Sequence, residues 1–292
     1  MTYQYKNFFQ SCKIAAVGTV LMTVMSFGAL VGGNQAMASN RGNAACATMQ
    51  QLYNNSNQTI LANDSELNGI LQKFIYADVY QQVKMPLAQQ ELLTLAVLTA
   101  NNTPEDIPLH VRGALKAGAT PVQIRETIFH CAAYVGMSRT KPALEAMYDA
   151  LKKAGVKLPL ANCTTVNDDN RHEVGLAVQK SIFGAAIDQM NASAPADQKH
   201  INTNLSANCF GDYYTRDGLN VQERELVTFT AIISLGCCDP QAKAHVNGNL
   251  LVGNTRQQLL DAITIALPYI GYPRTLNALA AINAVVPAER SK

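Results

Sequence analysis

The stretch HVNGNLLVGNT at residues 245–255 has a close counterpart, HVRGALKAGAT, at residues 110–120. Both begin with His-Val, and both carry Gly at the ninth position and Thr at the eleventh. Further pairs lie 135 residues apart downstream and 134 apart upstream: Tyr134 and Tyr269, Gly136 and Gly271, Arg139 and Arg274, Glu91 and Glu225, Asp78 and Asp212. One inserted residue between Glu225 and His245 explains the change of offset, so the chain is a tandem duplication.

Each copy has the sequence pattern of helices. Residues 87–100 and 221–235 carry apolar side chains at helical spacing. Capping boxes predict the start of a later helix in each copy, at Thr120 and Gln123 and at Thr255 and Gln258. Thr103 and Asp239, each followed by proline, are expected to be N-caps. Since no segment alternates like a strand, the expected fold is all-α, with two tandem bundles of five or six helices.

The domain boundaries follow from the duplication and from local composition. Residues 39–154 are expected to form the first repeat, with an extra N-terminal helix at about residues 44–63. Residues 155–170, where Pro, Asn and Asp cluster, form the expected linker. The second repeat is then expected over residues 171–292.

The first 38 residues have the pattern of a secretory signal peptide. Lys6 and Lys13 give a basic start, residues 14–31 are apolar and uncharged, and Ala36-Met37-Ala38 is a small-x-small cleavage signal. The alternative is an uncleaved anchor, because the apolar run approaches the spanning length of roughly 18–20 residues. Cleavage before Ser39 predicts an exported protein, periplasmic or secreted, with no stable membrane insertion.

The charge balance bears on which partners are excluded, and the expected partner is a small-molecule substrate. Residues 1–38 hold two lysines and no acidic residue, so the rest of the chain has equal numbers of basic and acidic residues. A neutral chain without basic runs argues against binding to nucleic acid. Neither Cys-x-x-Cys nor two histidines at ligand spacing occur, so no metal site is expected.

Two polar positions recur in both copies and carry the candidate chemistry. Glu91 and His110 lie 19 residues apart, and Glu225 and His245 lie 20 apart. If the two helices of each pair run antiparallel, carboxylate and imidazole meet and form a general acid–base pair. The alternative is structural: a Glu in a first helical turn favours the helix dipole, and a histidine can be a satisfied, half-buried polar residue.

A second recurring group follows in each copy. Tyr134 and Tyr269 precede the helix-ending Gly136 and Gly271, and Arg139 and Arg274 come shortly after. The arginines are candidates for binding a substrate carboxylate bidentately, or alternatively for capping the carbonyls of the preceding helix. The tyrosines are candidate substrate-binding residues, expected to be half-buried.

The cysteines leave two possibilities open. Cys237 and Cys238 precede Asp239-Pro240, a helix N-terminus that would lower a thiol pKa and suit redox catalysis. A disulfide between the two, or from one of them to Cys209, is the structural alternative in an oxidising compartment. The remaining histidines, His130, His172 and His200, have no counterpart in the other copy and are expected to be surface or capping residues.

The ordered set of Glu, His-Val, Gly-x-Thr and Tyr-x-Gly resembles the carboxymuconolactone decarboxylase family, which includes the alkylhydroperoxidase-D-like proteins. The stretch FGDYYTRDGLNVQERELVTFTAI at residues 210–232 is especially similar to its decarboxylase branch. The resemblance implies an all-α fold, a homo-oligomer that is a trimer of tandem chains, and cofactor-free carboxy-lyase chemistry in which the family's histidine maps onto His110 and His245.

The same resemblance implies a second possible activity. The peroxidase branch uses two thiols, and these positions fall on Cys238 and Gln241 in the second copy and on Thr103 and Asp106 in the first. Neither copy keeps both thiols, so a thiol-dependent peroxidase or disulfide reductase would have to use Cys237 with Cys238. The third hypothesis is a non-catalytic exported scaffold.

Overall fold

The computed structural model of the protein describes residues 32–288. It is all-α, as predicted, with no strand between those residues. The expected signal peptide falls almost entirely outside the described part of the chain. Among the helices that are described, none combines the length and apolarity needed to cross a membrane.

The helices that the structure describes divide between the two copies. The first copy contains α1 (Gly32–Tyr53), α2 (Ser65–Lys73), α3 (Leu87–Asn101), α4 (Ile107–Lys116), α5 (Pro121–Val135) and α6 (Met137–Lys153). The second contains α7 (Arg171–Phe183), α8 (Ala186–Ser193), α9 (Lys199–Asn204), α10 (Val221–Leu235), α11 (Asp239–Leu251) and α12 (Arg256–Val285). Two π-helical segments, Phe74–Val79 and Leu205–Tyr214, continue α2 and α9.

The chain divides into two compact units, one ending at Gln82 and the other beginning at Val83. In the first unit, α1 packs on the first π-helical segment, where Arg41 Nε donates to Asp78 Oδ1 at 2.8 Å. In the second unit, α7 packs in the same way on the second segment, and Arg171 Nε donates to Asp212 Oδ1 at 2.7 Å. These matching ion pairs make α1 the counterpart of α7.

The centre of the second unit is a pair of helices, one from each copy. α3 and α10 contact each other, and eleven residues of each helix are buried. A helix that is apolar on all sides must be covered on all sides. Helix α12 of the second copy packs on α3, and α5 of the first copy packs on α10, so each central helix is covered partly by the other copy and partly by its own.

Several local predictions are confirmed. The capping boxes of Thr120 and Thr255 are both complete, so α5 and α12 begin where the sequence places them. Gly136 and Gly271 have φ of 78° and 74°, values that residues with a Cβ atom rarely adopt. Gly271 lies within the range of α12 and bends it into two helical parts.

Other local predictions are wrong. Thr103 is not an N-cap, because its N–H bonds to the Leu98 carbonyl and still closes α3, while Asp106 precedes α4. Asp239 is the first residue of α11 rather than its cap. The helix expected at about residues 44–63 is helical only up to Tyr53, because α1 runs over Gly32–Tyr53, and it is the counterpart of α7 rather than an extra helix.

Candidate active site

Each predicted Glu–His pair is formed in the structure. His110 Nδ1 lies 2.9 Å from Glu91 Oε2, and His245 Nδ1 lies 2.9 Å from Glu225 Oε2. The carboxylates lie on α3 and α10 and the imidazoles on α4 and α11, so helix pairing brings them together as the spacing predicts. Both carboxylates are fully buried. In each pair Nδ1 donates to the carboxylate, which leaves Nε2 for other chemistry.

The recurring tyrosine of each copy lies against the histidine of the other copy. Tyr269 of the second copy lies edge-on against His110 of the first, with ring centroids 5.9 Å apart. Tyr134 of the first copy lies edge-on against His245 of the second at 5.8 Å. The exchange follows from the packing of α12 on α3 and of α5 on α10, which the sequence alone could not reveal.

The Nε2 atoms of the two histidines have different surroundings. His110 Nε2 lies 3.3 Å from the Tyr269 hydroxyl, and the side chain is only 3% exposed. The Tyr134 hydroxyl instead donates to Tyr214 at 3.1 Å. His245 Nε2 therefore has no hydrogen-bond partner among residues 32–288, and its side chain is 12% exposed. The ring nitrogen of the second pair is the more accessible of the two.

Glu225 also binds a tyrosine hydroxyl that was not among the predicted site residues. Tyr214, at the end of the second π-helical segment, donates to Glu225 Oε1 at 2.5 Å. Burial, and after it the Glu225 carboxylate, raise the pKa of Tyr214 well above its ordinary value, so the hydroxyl stays protonated and donates. The offset of 134 that joins Glu225 to Glu91 also joins Tyr214 to Tyr80, and this recurrence was the available signal.

A glycine one turn after each histidine was also missed. A Cβ at Gly248 would lie 2.7 Å from Glu225 Oε2 and 3.0 Å from the Phe183 ring, which stands edge-on to His245 at 5.5 Å. The absence of a Cβ therefore lets the carboxylate and the aromatic ring close around the imidazole. The repeated His-Val-x-Gly pattern, with Gly113 in the first copy, contained this information.

Replacing Gly248 by alanine is expected to displace the Glu225 carboxylate and to destabilise the protein by about 1–3 kcal/mol, because the added methyl group overpacks a buried site. Thermal unfolding followed by circular dichroism measures the change. Gly69→Ala is the matched control, since a Cβ there meets nothing within 4 Å and alanine favours a helix interior. Equal stability of Gly248→Ala and Gly69→Ala would contradict the close approach.

The side chains of the two recurring arginines bind backbone carbonyls near the C-terminal ends of other helices. Arg139 donates to the Ala100 carbonyl at the end of α3, and Arg274 Nη1 donates to the Ser234 carbonyl of α10 at 2.7 Å. Both arginines therefore cap a helix, but the helix is α3 or α10 and not the preceding helix that the alternative specified. Binding of a substrate carboxylate by these two side chains stays a prediction.

Cys237 and Cys238 are both free thiols, and so is Cys209. The alternative of a disulfide among these three cysteines is therefore not what the structure has. Cys209 is buried instead against the Tyr134 hydroxyl, with a thiol pKa raised by burial to about 12. Cys237 is exposed at φ 56°, in the turn between α10 and α11, and both thiols line a small cleft beside Arg274.

Near the second Glu–His pair, Glu126 and three arginines form a buried charged cluster. Glu126 of α5 accepts two hydrogen bonds from Arg216, at 2.7 and 2.9 Å, and lies 3.6 Å from Arg224. His130 follows one turn later on α5 and is fully buried, so its prediction as a surface or capping residue is wrong. Its Nε2 lies 2.8 Å from Thr228 Oγ1. Within the described residues, no group of three or more His, Cys, Asp or Glu side chains is placed to hold a metal ion.

Comparison with known proteins finds a matching family model and two related decarboxylases. The family model described as "Carboxymuconolactone decarboxylase family" matches the chain twice, at residues 66–149 and 202–284. The 4-carboxymuconolactone decarboxylase of Acinetobacter baylyi is 24% identical over 93 residues, which are 32% of this chain and 69% of that protein. The nitrosuccinic acid decarboxylase of Metarhizium robertsii is 32% identical over 78 residues, 27% of this chain and 52% of that protein.

One solved structure, from Burkholderia xenovorans LB400, is of a protein assigned as a gamma-carboxymuconolactone decarboxylase subunit. It is 14% identical and aligns with a TM-score of 0.45, covering 84% of this chain and 97% of its own. The two matches of the family model cover more than half of this chain and contain one Glu–His pair each. The chain therefore belongs to the carboxymuconolactone decarboxylase family, as a tandem duplication of its fold.

Proposed function

We propose that the protein is a cofactor-free decarboxylase of a small carboxylated lactone or a related activated acid, with proton transfer by its Glu–His pairs. The observation that carries the proposal is the pair Glu225–His245: Nδ1 is bound to a buried carboxylate, and Nε2 is left without a partner among the described residues. The two decarboxylase relatives support the reaction class.

The chemistry needs one proton at carbon. Loss of CO₂ from the substrate carboxylate leaves the bonding electron pair on carbon, where it is delocalised into a conjugated carbonyl or a nitro group. Protonated His245 donates its Nε2 proton to that carbon, and the neutral imidazole then regains a proton from solvent. Glu225 stabilises the imidazolium before transfer, and each turnover releases one CO₂ and takes up one proton.

The two relatives suggest what the substrate shares with theirs. Their names specify 4-carboxymuconolactone and nitrosuccinic acid, and both are acids that carry an electron-withdrawing group able to take up charge. The purified protein is expected to release CO₂ from at least one of them. Quantifying the CO₂ released after acidification of the reaction measures this directly. Turnover of an organic peroxide with a dithiol, with no release of CO₂, would contradict the proposal.

A thiol-dependent peroxidase is the second candidate, and the free state of Cys237 and Cys238 favours it. Its weakness is the family's second thiol position, which is occupied by Gln241. Cys238→Ser decides between the two candidates: we expect this variant to keep wild-type decarboxylation. Loss of a dithiol-dependent peroxidase activity in Cys238→Ser would support the second candidate instead.

We propose further that the protein is exported after cleavage before Ser39 and assembles as a trimer of tandem chains. The basic start, the apolar run and the Ala-x-Ala signal support export. N-terminal sequencing of the protein from the extracellular or periplasmic fraction tests the cleavage site, and light scattering tests the assembly.

A further inference from the structure

We propose that His130, a side chain of the first copy, is a positioning residue for Glu225 in the second copy's site, acting through Thr228 and Tyr214. The inference rests on the proposed function, because it assigns a role within that site. It also distinguishes the second Glu–His pair from the first.

The contacts form one continuous chain of hydrogen bonds. His130 Nε2 lies 2.8 Å from Thr228 Oγ1, which lies 3.0 Å from the Tyr214 hydroxyl. Tyr214 donates to Glu225 Oε1 at 2.5 Å, and Glu225 Oε2 bonds to His245 Nδ1 at 2.9 Å. Apart from His245, these side chains are all buried. Hydrogen bonds linked in series polarise one another, so the far end affects the strength of the last bond.

The donors can be assigned from the buried end. The guanidinium of Arg224 can only donate hydrogen bonds, and its Nη1 lies 3.5 Å from His130 Nδ1. His130 Nδ1 therefore accepts, and Nε2 carries the proton. Burial, and after it the charge of Arg224, lower the pKa of His130 well below its ordinary value, so this imidazole stays neutral. His130 then donates to Thr228, Thr228 to Tyr214, and Tyr214 to Glu225.

The first copy's site has no histidine in the position from which this chain of hydrogen bonds starts. The offset of 135 places Ile265 at the position of His130, and isoleucine donates no hydrogen bond. The offset of 134 places Gln90 at the position of Arg224 and Thr94 at that of Thr228. Thr94 bonds instead to the Gln90 carbonyl within its own helix, at 2.9 Å. The two copies therefore differ in the residues that support their Glu–His pairs.

The test uses a variant that removes one link without disturbing Arg224. Thr228→Val keeps the shape of the side chain and deletes its hydroxyl. We expect kcat for decarboxylation to fall by about tenfold while KM stays within about twofold, because the carboxylate is less firmly held when the proton is transferred. Thr94→Val, the same change in the first copy, is the matched control and should keep wild-type kcat.

Two further variants separate positioning from folding. His130→Leu should match Thr228→Val in kcat, whereas His130→Gln, whose amide can donate to Thr228, should recover to within about threefold of the wild type. The nitrogen-15 spectrum of His245 gives a readout besides activity. In the wild type the neutral ring should carry its proton on Nδ1, and Thr228→Val should mix the two tautomers.

The outcomes distinguish this inference from the proposed function. Wild-type kcat and an unchanged His245 tautomer in Thr228→Val would overturn the role of His130 and leave the decarboxylase proposal standing. A tautomer that responds to Thr228→Val in a protein that decarboxylates neither acid would support the positioning role and overturn the proposed function. An equal loss of kcat in Thr94→Val would contradict the assignment to the second copy.

Discussion

Replacing His245 by glutamine is expected to lower kcat for decarboxylation by about 100-fold or more. Positioned acid–base groups contribute roughly 10²–10⁴-fold, and glutamine has no ionisable proton to transfer. Its amide can still donate to Glu225, so the carboxylate keeps a partner and the fold should be retained. The measurement is steady-state CO₂ release, together with thermal unfolding to verify the fold.

The same substitution in the first copy measures that copy's share. His110 is nearly buried, and its Nε2 faces the Tyr269 hydroxyl. We therefore expect His110→Gln to lower kcat by less than about threefold. Equal losses in the two variants would mean that both copies work. A His245→Gln variant that keeps wild-type activity would remove the second pair from the mechanism.

The second large effect is on stability. Glu126→Gln is expected to lower the free energy of unfolding by about 3–5 kcal/mol, the usual cost of removing one partner from a buried ion pair. Glu126 is fully buried, and its carboxylate offsets the charges of Arg125, Arg216 and Arg224. At roughly 2–4 °C per kcal/mol for a chain of this size, Tm should fall by about 6–20 °C.

The control for this prediction is an exposed pair on the same protein. Lys141 Nζ lies 3.9 Å from Glu145 one turn along α6, and both side chains are exposed. Glu145→Gln should change stability by less than about 1 kcal/mol, because such pairs contribute little in water. If Glu126→Gln is as stable as Glu145→Gln, the buried cluster does not hold α5 to the second copy.

The sequence predicts the repeated parts of this molecule well. The Glu–His spacing, the capping boxes and the helix-ending glycines depend on local geometry, so the recurrence of residues was sufficient to identify them. The all-α fold follows from the same helical periodicity. A glycine also recurs three residues after each histidine, as Gly113 and Gly248, so the close packing at Gly248 could have been inferred from the sequence.

Other features depend on how the two copies pack and could not be predicted locally. The exchange of Tyr134 and Tyr269 requires α5 and α12 to cross onto the other copy's central helix. His130 has no counterpart in the second copy, so the comparison of the two copies does not predict a role for it. Its role depends on burial beside Thr228, which gives it a defined partner. The state of Cys237 and Cys238 likewise depends on the turn geometry after α10, which spacing does not specify.

The most direct test of cofactor-free decarboxylation at the second pair counts atoms per turnover. Chelator-treated wild-type protein in D₂O, supplied with 4-carboxymuconolactone or nitrosuccinic acid, should release one CO₂ and place one deuterium on the product carbon, and His245→Gln should do neither at a comparable rate. Activity that disappears on chelation, or that is unchanged in His245→Gln, would contradict the account.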